Sequence, residues 1–128
     1  MQSEPLPVLL EGDHIRLKQI LINLVKNSLK FTKQGWIKIV AAYDEETEML
    51  QVHIFDSGKG IKQEDINKLF TMFGKLKRTA EINSEGIGMG LMICQKLVSL
   101  NGGTIKVYSD GIDQGSVFTF SMKMKLVE

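Results

Sequence analysis

The segment DHIRLKQILINLVKNSLKFT, residues 13–32, decides the fold of this chain. Its apolar residues recur at helical spacing, which predicts one helix of about five turns. The apolar arc is wider than a surface helix needs, so we expect most of the circumference to be buried. The residues expected on the buried side are Leu17, Leu21, Leu24, Val25, Ser28, Leu29 and Phe31.

Polar residues nevertheless form a stripe along the same predicted helix. At about 100° per residue, all of them fall within about 60° of Asn23. They are Arg16, Gln19, Asn23, Lys26, Asn27 and Lys30. Two carboxamides one turn apart, with a lysine beyond them, suit a ligand that is rich in oxygen and negatively charged. A charged helix face is usually solvated, however, and this helix alone leaves the two interpretations equal.

The composition indicates one globular domain and excludes several classes of function. The chain has 128 residues, 43% of them hydrophobic, and 16 Lys and Arg against 15 Asp and Glu, so its net charge is +1. No overall field therefore attracts nucleic acid or an anionic membrane. The one cysteine, Cys94, cannot form an internal disulfide and suits a reducing compartment. Two histidines and one cysteine are too few for a zinc site.

The sequence also lacks the patterns of membrane insertion and export. No apolar run approaches the roughly 18 residues of a membrane-spanning helix. The first ten residues, MQSEPLPVLL, do not have the basic and then apolar layout of a signal peptide. We therefore expect a cytoplasmic domain outside the membrane. A domain cut from a membrane-anchored parent would have the same composition.

The remaining segments predict strands in adjacent pairs and two further helices. Alternating or continuous apolar runs predict strands over residues 7–11, 36–43, 49–55, 104–109 and 116–123. Helical patterns cover residues 63–70 and 86–100, and Asp13 suits the N-cap of the first helix. Paired strands argue against a doubly wound parallel sheet. We predict an α/β (α+β) fold: a two-layer sandwich of a mixed, mostly antiparallel sheet with helices on one face.

Two glycine motifs follow, and each is ambiguous alone. GIGMG, residues 86–90, opens a helix, where glycines permit close approach and free N–H groups attract anions. A hinge before a helix explains it equally well, and it fits neither the dinucleotide fingerprint nor the P-loop. DSGKG, residues 56–60, follows a strand and is a good turn. An aspartate there can also accept hydrogen bonds from a purine amine at the floor of a pocket.

The order of these motifs carries a resemblance to a known family. Asn-x3-Asn-x2-Lys on a helix is followed by DxGxG, then by Phe70 and Phe73, a charged loop and GxGxG. This order resembles the ATP-binding catalytic domain of sensor histidine kinases, in the GHKL or Bergerat superfamily that includes gyrase-type and chaperone ATPases. The resemblance covers residues 9–122, and the segments 16–32 and 101–122 look like the sensor-kinase version in particular.

The resemblance implies a site for ATP and Mg2+. Asn27 is the expected metal ligand, with Asn23 beside it, and Lys30 contacts phosphate; these three are the implied catalytic residues. Asp56 binds the adenine amine, Gly58 and Gly60 make room for the base, and residues 74–87 form the ATP lid. The further implied contacts are Ile61, Phe73, Gly86, Ile87, Gly88, Gly90 and Leu91, and Gly115 matches the closing glycine motif. Core packing explains Phe70 and Phe73 equally well.

The chain departs from the family pattern in the predicted lid. Ile87 replaces a usual Thr or Ser, and Ile82 and Asn83 replace residues that are often basic. Lys75, Lys77 and Arg78 could substitute, although solvated loop charges explain them as well. Phosphoryl transfer relies on cations around the γ-phosphate, so these changes affect the expected rate more than nucleotide binding.

The resemblance implies a protein histidine kinase domain that donates the γ-phosphoryl group of ATP to a histidine on a separate dimerisation helix pair. His14 and His53 are not in a phospho-acceptor motif, so we expect a monomeric fragment of a longer kinase that does not autophosphorylate alone. A receiver domain is the expected downstream partner. Two alternatives stay open: a degenerate module that binds nucleotide or protein without transfer, and a slow ATPase of the same superfamily.

Overall fold

The computed structural model describes residues 9–66 and 89–127, and for residues 89 and 90 it describes the backbone. Several predicted features lie outside these residues. They are Phe70, Phe73, the lid at 74–87, and Gly86, Ile87 and Gly88. The predictions made for them remain predictions.

Helices and strands follow one another nearly as the sequence pattern predicts. In chain order they are β1 (Leu10–Glu11), α1 (His14–Phe31), β2 (Ile37–Asp44), β3 (Met49–Asp56), α2 (Gln63–Ile66), α3 (Met89–Leu100), β4 (Ile105–Tyr108), β5 (Ser116–Lys123) and β6 (Lys125–Leu126). Apart from the first, which starts three residues later, the predicted strands agree with the observed ones to within one residue at each end. The two-residue strand β6 was not predicted, because it is too short to show an alternating pattern.

The described strands form one sheet of four and a separate pair. The sheet has the order β2-β3-β5-β4, and β1 pairs with β6. Every described pair is antiparallel, in agreement with the predicted mostly antiparallel sheet. Residues 45–48 join β2 to β3 as a tight hairpin, in which Glu48 has a φ of 56°.

One face of the sheet packs against α1 and α3. Ile54 on β3 and Phe118 and Phe120 on β5 are fully buried, together with Leu24 of α1 and Leu91 of α3. The layers therefore match the predicted two-layer sandwich.

The opposite face carries residues that the core does not use. His53 lies there, and its Nδ1 is 2.9 Å from the hydroxyl of Thr119 on β5. Its ring also stacks on that of Phe55. His53 is therefore an ordinary sheet-face residue.

Residues next to helix α1 in the sequence determine where it begins and ends. The Asp13 carboxylate accepts a hydrogen bond from the backbone N–H of Arg16 at 3.0 Å, which confirms the predicted N-cap. The helix ends at Phe31 with Thr32 as its C-cap. Gly35 then turns the chain towards β2 with a φ of 138°, a conformation that favours glycine.

The prediction that most of the circumference of α1 is buried is wrong. Ile15, Ile22 and Leu29 are 63%, 43% and 59% exposed. Leu29 had been expected on the buried side. Among the described residues, α1 packs against the sheet and α3, so only the arc that faces them is covered. Leu100 is likewise 73% exposed because α3 ends there, beyond the core.

None of the helices in the described parts of the chain is long and apolar enough to cross a membrane.

Two identical substitutions on α1 test this distribution of burial. Leu24→Ala removes a fully buried side chain and should lower the free energy of unfolding by about 2–5 kcal/mol. Leu29→Ala removes an exposed one and should change it by less than about 0.5 kcal/mol. Urea denaturation followed by circular dichroism measures both. Equal losses would contradict the orientation of α1.

Candidate functional site

Asp56, the last residue of β3, is a carboxylate held inside the protein. It is 5% exposed. Its Oδ2 accepts a hydrogen bond from the Ser116 hydroxyl at 2.6 Å, and its Oδ1 accepts one from the backbone N–H of Gly58 at 3.0 Å. Asp56 and Ser116 are register partners on β3 and β5, so the sheet sets their distance. The two bonds fix the plane of the carboxylate while leaving lone pairs for further donors.

The turn after Asp56 is braced by the loop between β4 and β5. The N–H of Gly115 donates to the carbonyl of Gly58 at 3.1 Å, and the N–H of Asp113 donates to the carbonyl of Lys59 at 2.6 Å. Gly60 and Gly115 have φ values of 71° and 70°, which favour glycine. The turn is therefore held by backbone bonds.

Ser109 is the centre of this brace. Its buried hydroxyl donates to the carbonyl of Gly115 at 2.6 Å and accepts from the backbone N–H of Ile61 at 3.1 Å and of Gly111 at 3.2 Å. Neither Ser109 nor Ser116 is among the site residues predicted from the sequence. The position of Ser116 in the sequence could have identified it, because it directly follows the closing glycine, Gly115. Its hydroxyl therefore lies at the start of the strand that pairs with β3.

Gly58 and Gly60 have neighbours that explain the absence of a side chain. A Cβ on Gly58 would meet the carbonyl oxygen of Phe31 at the end of α1. A Cβ on Gly60 would meet the carbonyl oxygen of Gly111. The contacts that demand glycine here are thus with the backbone of the protein. Room for a purine base is a separate prediction, which these contacts do not test.

Asn27 lies on the inner side of α1 and is 3% exposed. Its Nδ2 has no hydrogen-bond partner within the described residues. An unpaired buried amide costs about 1–3 kcal/mol, so such a group is expected where a ligand supplies the missing partner.

Asn23, one turn earlier, is half-buried beside α3. A hydrogen bond with its side chain lowers the pKa of Cys94, but burial dominates and raises that pKa to about 11. The thiol therefore stays protonated at neutral pH. Cys94 is therefore an inert residue of the core. Asn23 is thus part of the contact between α1 and α3.

A cleft of about 460 Å3 joins the end of α1 to the turn after Asp56. Lys30, Lys33, Gly58, Lys59 and Asp113 are among its lining residues. The backbone of the two segments is also connected, since the N–H of Lys59 donates to the carbonyl of Phe31 at 3.1 Å. The side-chain nitrogen of Lys59 lies 4.8 Å from the centre of the Phe31 ring, a cation–π contact. Basic residues outnumber acidic ones here, so the cleft suits an anion.

The structure brings part of the predicted site together. Gly58 and Lys30 line the same cleft, and Asp56 begins the turn, with its carboxylate bonded to the N–H of Gly58. Asn27 and Asn23 lie on the inner side of α1. Ile61 is 8% exposed and Leu91 fully buried, and both belong to the core. Of the later glycine motif, only the backbone of Met89 and Gly90, at the start of α3, is described.

The sequence matches the family described as histidine kinase-, DNA gyrase B- and HSP90-like ATPases over residues 12–126. The chain belongs to this family. The match and the fold confirm the predicted resemblance to the catalytic ATP-binding domain of histidine kinases.

Similar proteins include signalling kinases. Two-component system protein A of Emericella nidulans is 38% identical over 127 residues, which cover 95% of this chain and 19% of that protein. Sensor protein GacS of Pseudomonas syringae pv. syringae is 38% identical over 121 residues, which cover 92% of this chain and 13% of that protein. This chain therefore spans less than a fifth of the length of either relative.

Solved structures show the same fold. Full-length ShkA in complex with AMPPNP has a TM-score of 0.79 and 29% identity, covering 98% of this chain and 25% of that one. The nucleotide-free catalytic domain of the histidine kinase ThkA has a TM-score of 0.67 and 31% identity, covering 88% of this chain and 68% of that one.

A serine substitution tests the hydrogen bond that holds Asp56. Ser116→Ala leaves one oxygen of a buried carboxylate without its donor and should lower the free energy of unfolding by about 1–3 kcal/mol. Ser99→Ala, at an exposed position on α3, is the matched control and should change it by less than about 0.5 kcal/mol. Urea denaturation of both variants makes the comparison. A Ser116 variant as stable as the control would show that the bond contributes nothing.

Proposed function

We propose that this chain binds ATP with Mg2+ and donates the γ-phosphoryl group to a histidine on a separate dimerisation domain. The observation that carries the proposal is the buried Nδ2 of Asn27, which has no partner among the described residues. It lies on the helix whose end shares a basic cleft with the turn after Asp56. The family and the fold support the same conclusion. In the reaction, the bond from the γ-phosphorus to the bridging oxygen breaks, a bond to a histidine nitrogen forms, and ADP leaves.

Asp56 is the proposed adenine ligand. Its carboxylate keeps lone pairs beyond the bonds from Ser116 and Gly58, and an exocyclic amine is a donor that can use them. Because the carboxylate is already oriented and buried, little conformational freedom is lost when the base binds. Ser116 is therefore a positioning residue that acts through Asp56.

Asn27 and Asn23 fit Mg2+ by the chemistry of their donors. Mg2+ prefers oxygen ligands and keeps several waters, and a carboxamide oxygen is such a ligand without added charge. Asn27 is the proposed direct ligand through its Oδ1, and its buried Nδ2, which has no partner among the described residues, is a donor that suits a phosphate oxygen. Asn23 stands beside it, with its own contact to Cys94. Bound Mg2+ supplies positive charge to the phosphates, and Lys30 adds a further cation at the edge of the cleft.

The remaining predicted contacts extend this site. Gly58, Gly60 and Ile61 shape the turn beside the base. The lid at residues 74–87 and the residues after it complete the proposed phosphate end. The residues proposed there are Phe73, Gly86, Ile87, Gly88, Gly90 and Leu91.

We propose that the chain works as one domain of a longer cytoplasmic or membrane-anchored kinase. Its relatives carry this domain within much longer proteins, one of them described as a hybrid signal transduction histidine kinase. The phospho-acceptor helices belong to the same parent or to a partner, and a receiver domain takes the phosphoryl group next. Alone, the chain is expected to be a monomer.

Two variants on neighbouring positions of α1 test nucleotide binding. Asn27→Asp removes an amide donor and adds negative charge beside the phosphates, so Mg2+·ATP should bind at least about tenfold more weakly. Lys26→Ala, on the exposed side, should change the affinity by less than about twofold. Titration calorimetry with and without Mg2+ measures both. Equal effects would contradict the proposed role of Asn27.

Phosphoryl transfer is tested with labelled ATP and an added acceptor. The isolated chain should acquire no acid-labile phosphate. A dimerisation domain from a related kinase, already shown to accept phosphate from its own catalytic domain, should become labelled when this chain is present. Labelling of the isolated chain would contradict the proposal.

Two other outcomes separate the alternatives. Ile82 and Ile87 in the predicted lid favour a degenerate module, which would bind ATP without labelling the acceptor. The ATPase alternative predicts phosphate release, which should be slow because Asn23 stands where such enzymes carry an acid. Failure to bind ATP would exclude all nucleotide-dependent functions.

A further inference from the structure

The outer side of α1 carries an apolar stripe that the nucleotide site does not use. Ile15, Ile22 and Leu29 are 63%, 43% and 59% exposed. They are seven residues apart, so on a helix they lie within about 40° of one another. We refer to these three residues as the outer stripe. It lies about 100° around the helix from Asn23.

The spacing of the outer stripe indicates the shape of a partner that can bind along α1. Successive members lie two turns, or about 10 Å, apart along the axis, so the stripe runs nearly the length of α1. Coiled coils have two apolar positions in every seven residues and this stripe has one, so it forms a narrow apolar ridge that can fit the groove of a helix lying along it. Val25, half-buried and one turn from both Ile22 and Leu29, widens the apolar surface towards the core. The stripe therefore fits a helix that lies along α1.

The positive charge of α1 indicates which kind of partner helix can bind to the outer stripe. The segment 14–31 contains Arg16, Lys18, Lys26 and Lys30 and no Asp or Glu, although the chain as a whole is nearly neutral. Lys18 and Lys26 stand four residues before and after Ile22, about 40° to either side of it. Both are exposed. Exposed lysines on either side of the stripe attract acidic residues on a facing helix.

We propose that the outer stripe, with Lys18 and Lys26, is a docking surface for an amphipathic helix of a partner that has acidic residues beside its apolar seam. A second copy of this chain is a poor occupant, because its own stripe carries the same lysines and the two would repel. An anionic membrane surface is also a poor occupant. The stripe is one residue wide and has no aromatic residue, whereas interfacial helices insert a broad apolar face.

The proposal is independent of the nucleotide site. None of the residues in the docking surface belongs to the proposed contacts with ATP or Mg2+. A partner helix could therefore bind to α1 whether or not nucleotide is bound. The surface gives the kinase domain a contact that is separate from phosphoryl transfer.

The test uses two designed helical peptides of about 21 residues as probes. Both have leucine along a seven-residue seam; one has glutamate on the flanks of the seam and the other has lysine. In a titration of the isotopically labelled 128-residue chain followed by NMR, the acidic peptide should shift the amides of α1 around Ile22. The basic peptide should bind at least about tenfold more weakly. No binding by either peptide, or equal binding by both, would overturn the proposal.

Variants locate the interaction on the chain. Ile22→Ser should weaken binding of the acidic peptide at least about tenfold, whereas Ile112→Ser, at another isoleucine that is 54% exposed, should leave it unchanged. The double variant K18E/K26E should reverse the preference between the two peptides. Thermal unfolding and Mg2+·ATP titration of each variant check that fold and nucleotide site are intact. Loss of peptide binding with unchanged nucleotide affinity separates this surface from the proposed function.

Two further measurements address the other occupants. Sedimentation of the free chain should show a monomer; a dimer that Ile22→Ser dissociates would overturn the proposal in favour of a second copy. Vesicles of anionic phosphatidylglycerol should not retain the chain. Retention that Ile22→Ser abolishes, without binding of the acidic peptide, would overturn it in favour of a membrane surface.

Discussion

The position of the buried Asp56 carboxylate is the constraint on which the site depends. Its two hydrogen bonds come from different parts of the chain, one from the next turn and one from Ser116 on the neighbouring strand. The pairing of β3 with β5 therefore fixes the group, and the hydrogen bonds around Ser109 fix the turn that follows it. A ligand that binds this carboxylate meets a group that is already ordered. Little conformational entropy is lost on binding, because the pairing of the strands has oriented the carboxylate beforehand.

The circumference of helix α1 has three parts that lie in different environments. The arc with Ile20 and Leu24 packs into the core, and Asn27 lies buried with an amide nitrogen that has no partner within the described parts of the chain. The outer stripe remains in solvent. The wide apolar arc that suggested a largely buried helix is thus explained by two apolar surfaces rather than one.

Local signals made most of the fold predictable from the sequence. The N-cap at Asp13 and the strand periods depend on residues close together in the chain, and the structure agrees with both. The exposure of Leu29 depends on which neighbours pack against α1, which periodicity does not specify. Ser109 and Ser116 were missed because their bonds join residues 48 and 60 positions apart. The predicted contacts at residues 70–88 lie outside the described residues and stay predictions.

The pairing of β1 with β6 has a mechanical consequence. Leu10 is the register partner of Leu126, so the chain enters and leaves the domain side by side. A longer polypeptide would therefore be attached to the domain at one place rather than at two distant points. The whole body could then swing about that attachment while its sheet and site stayed rigid. Tension along the parent chain would act first on two short strands, and the core would be spared.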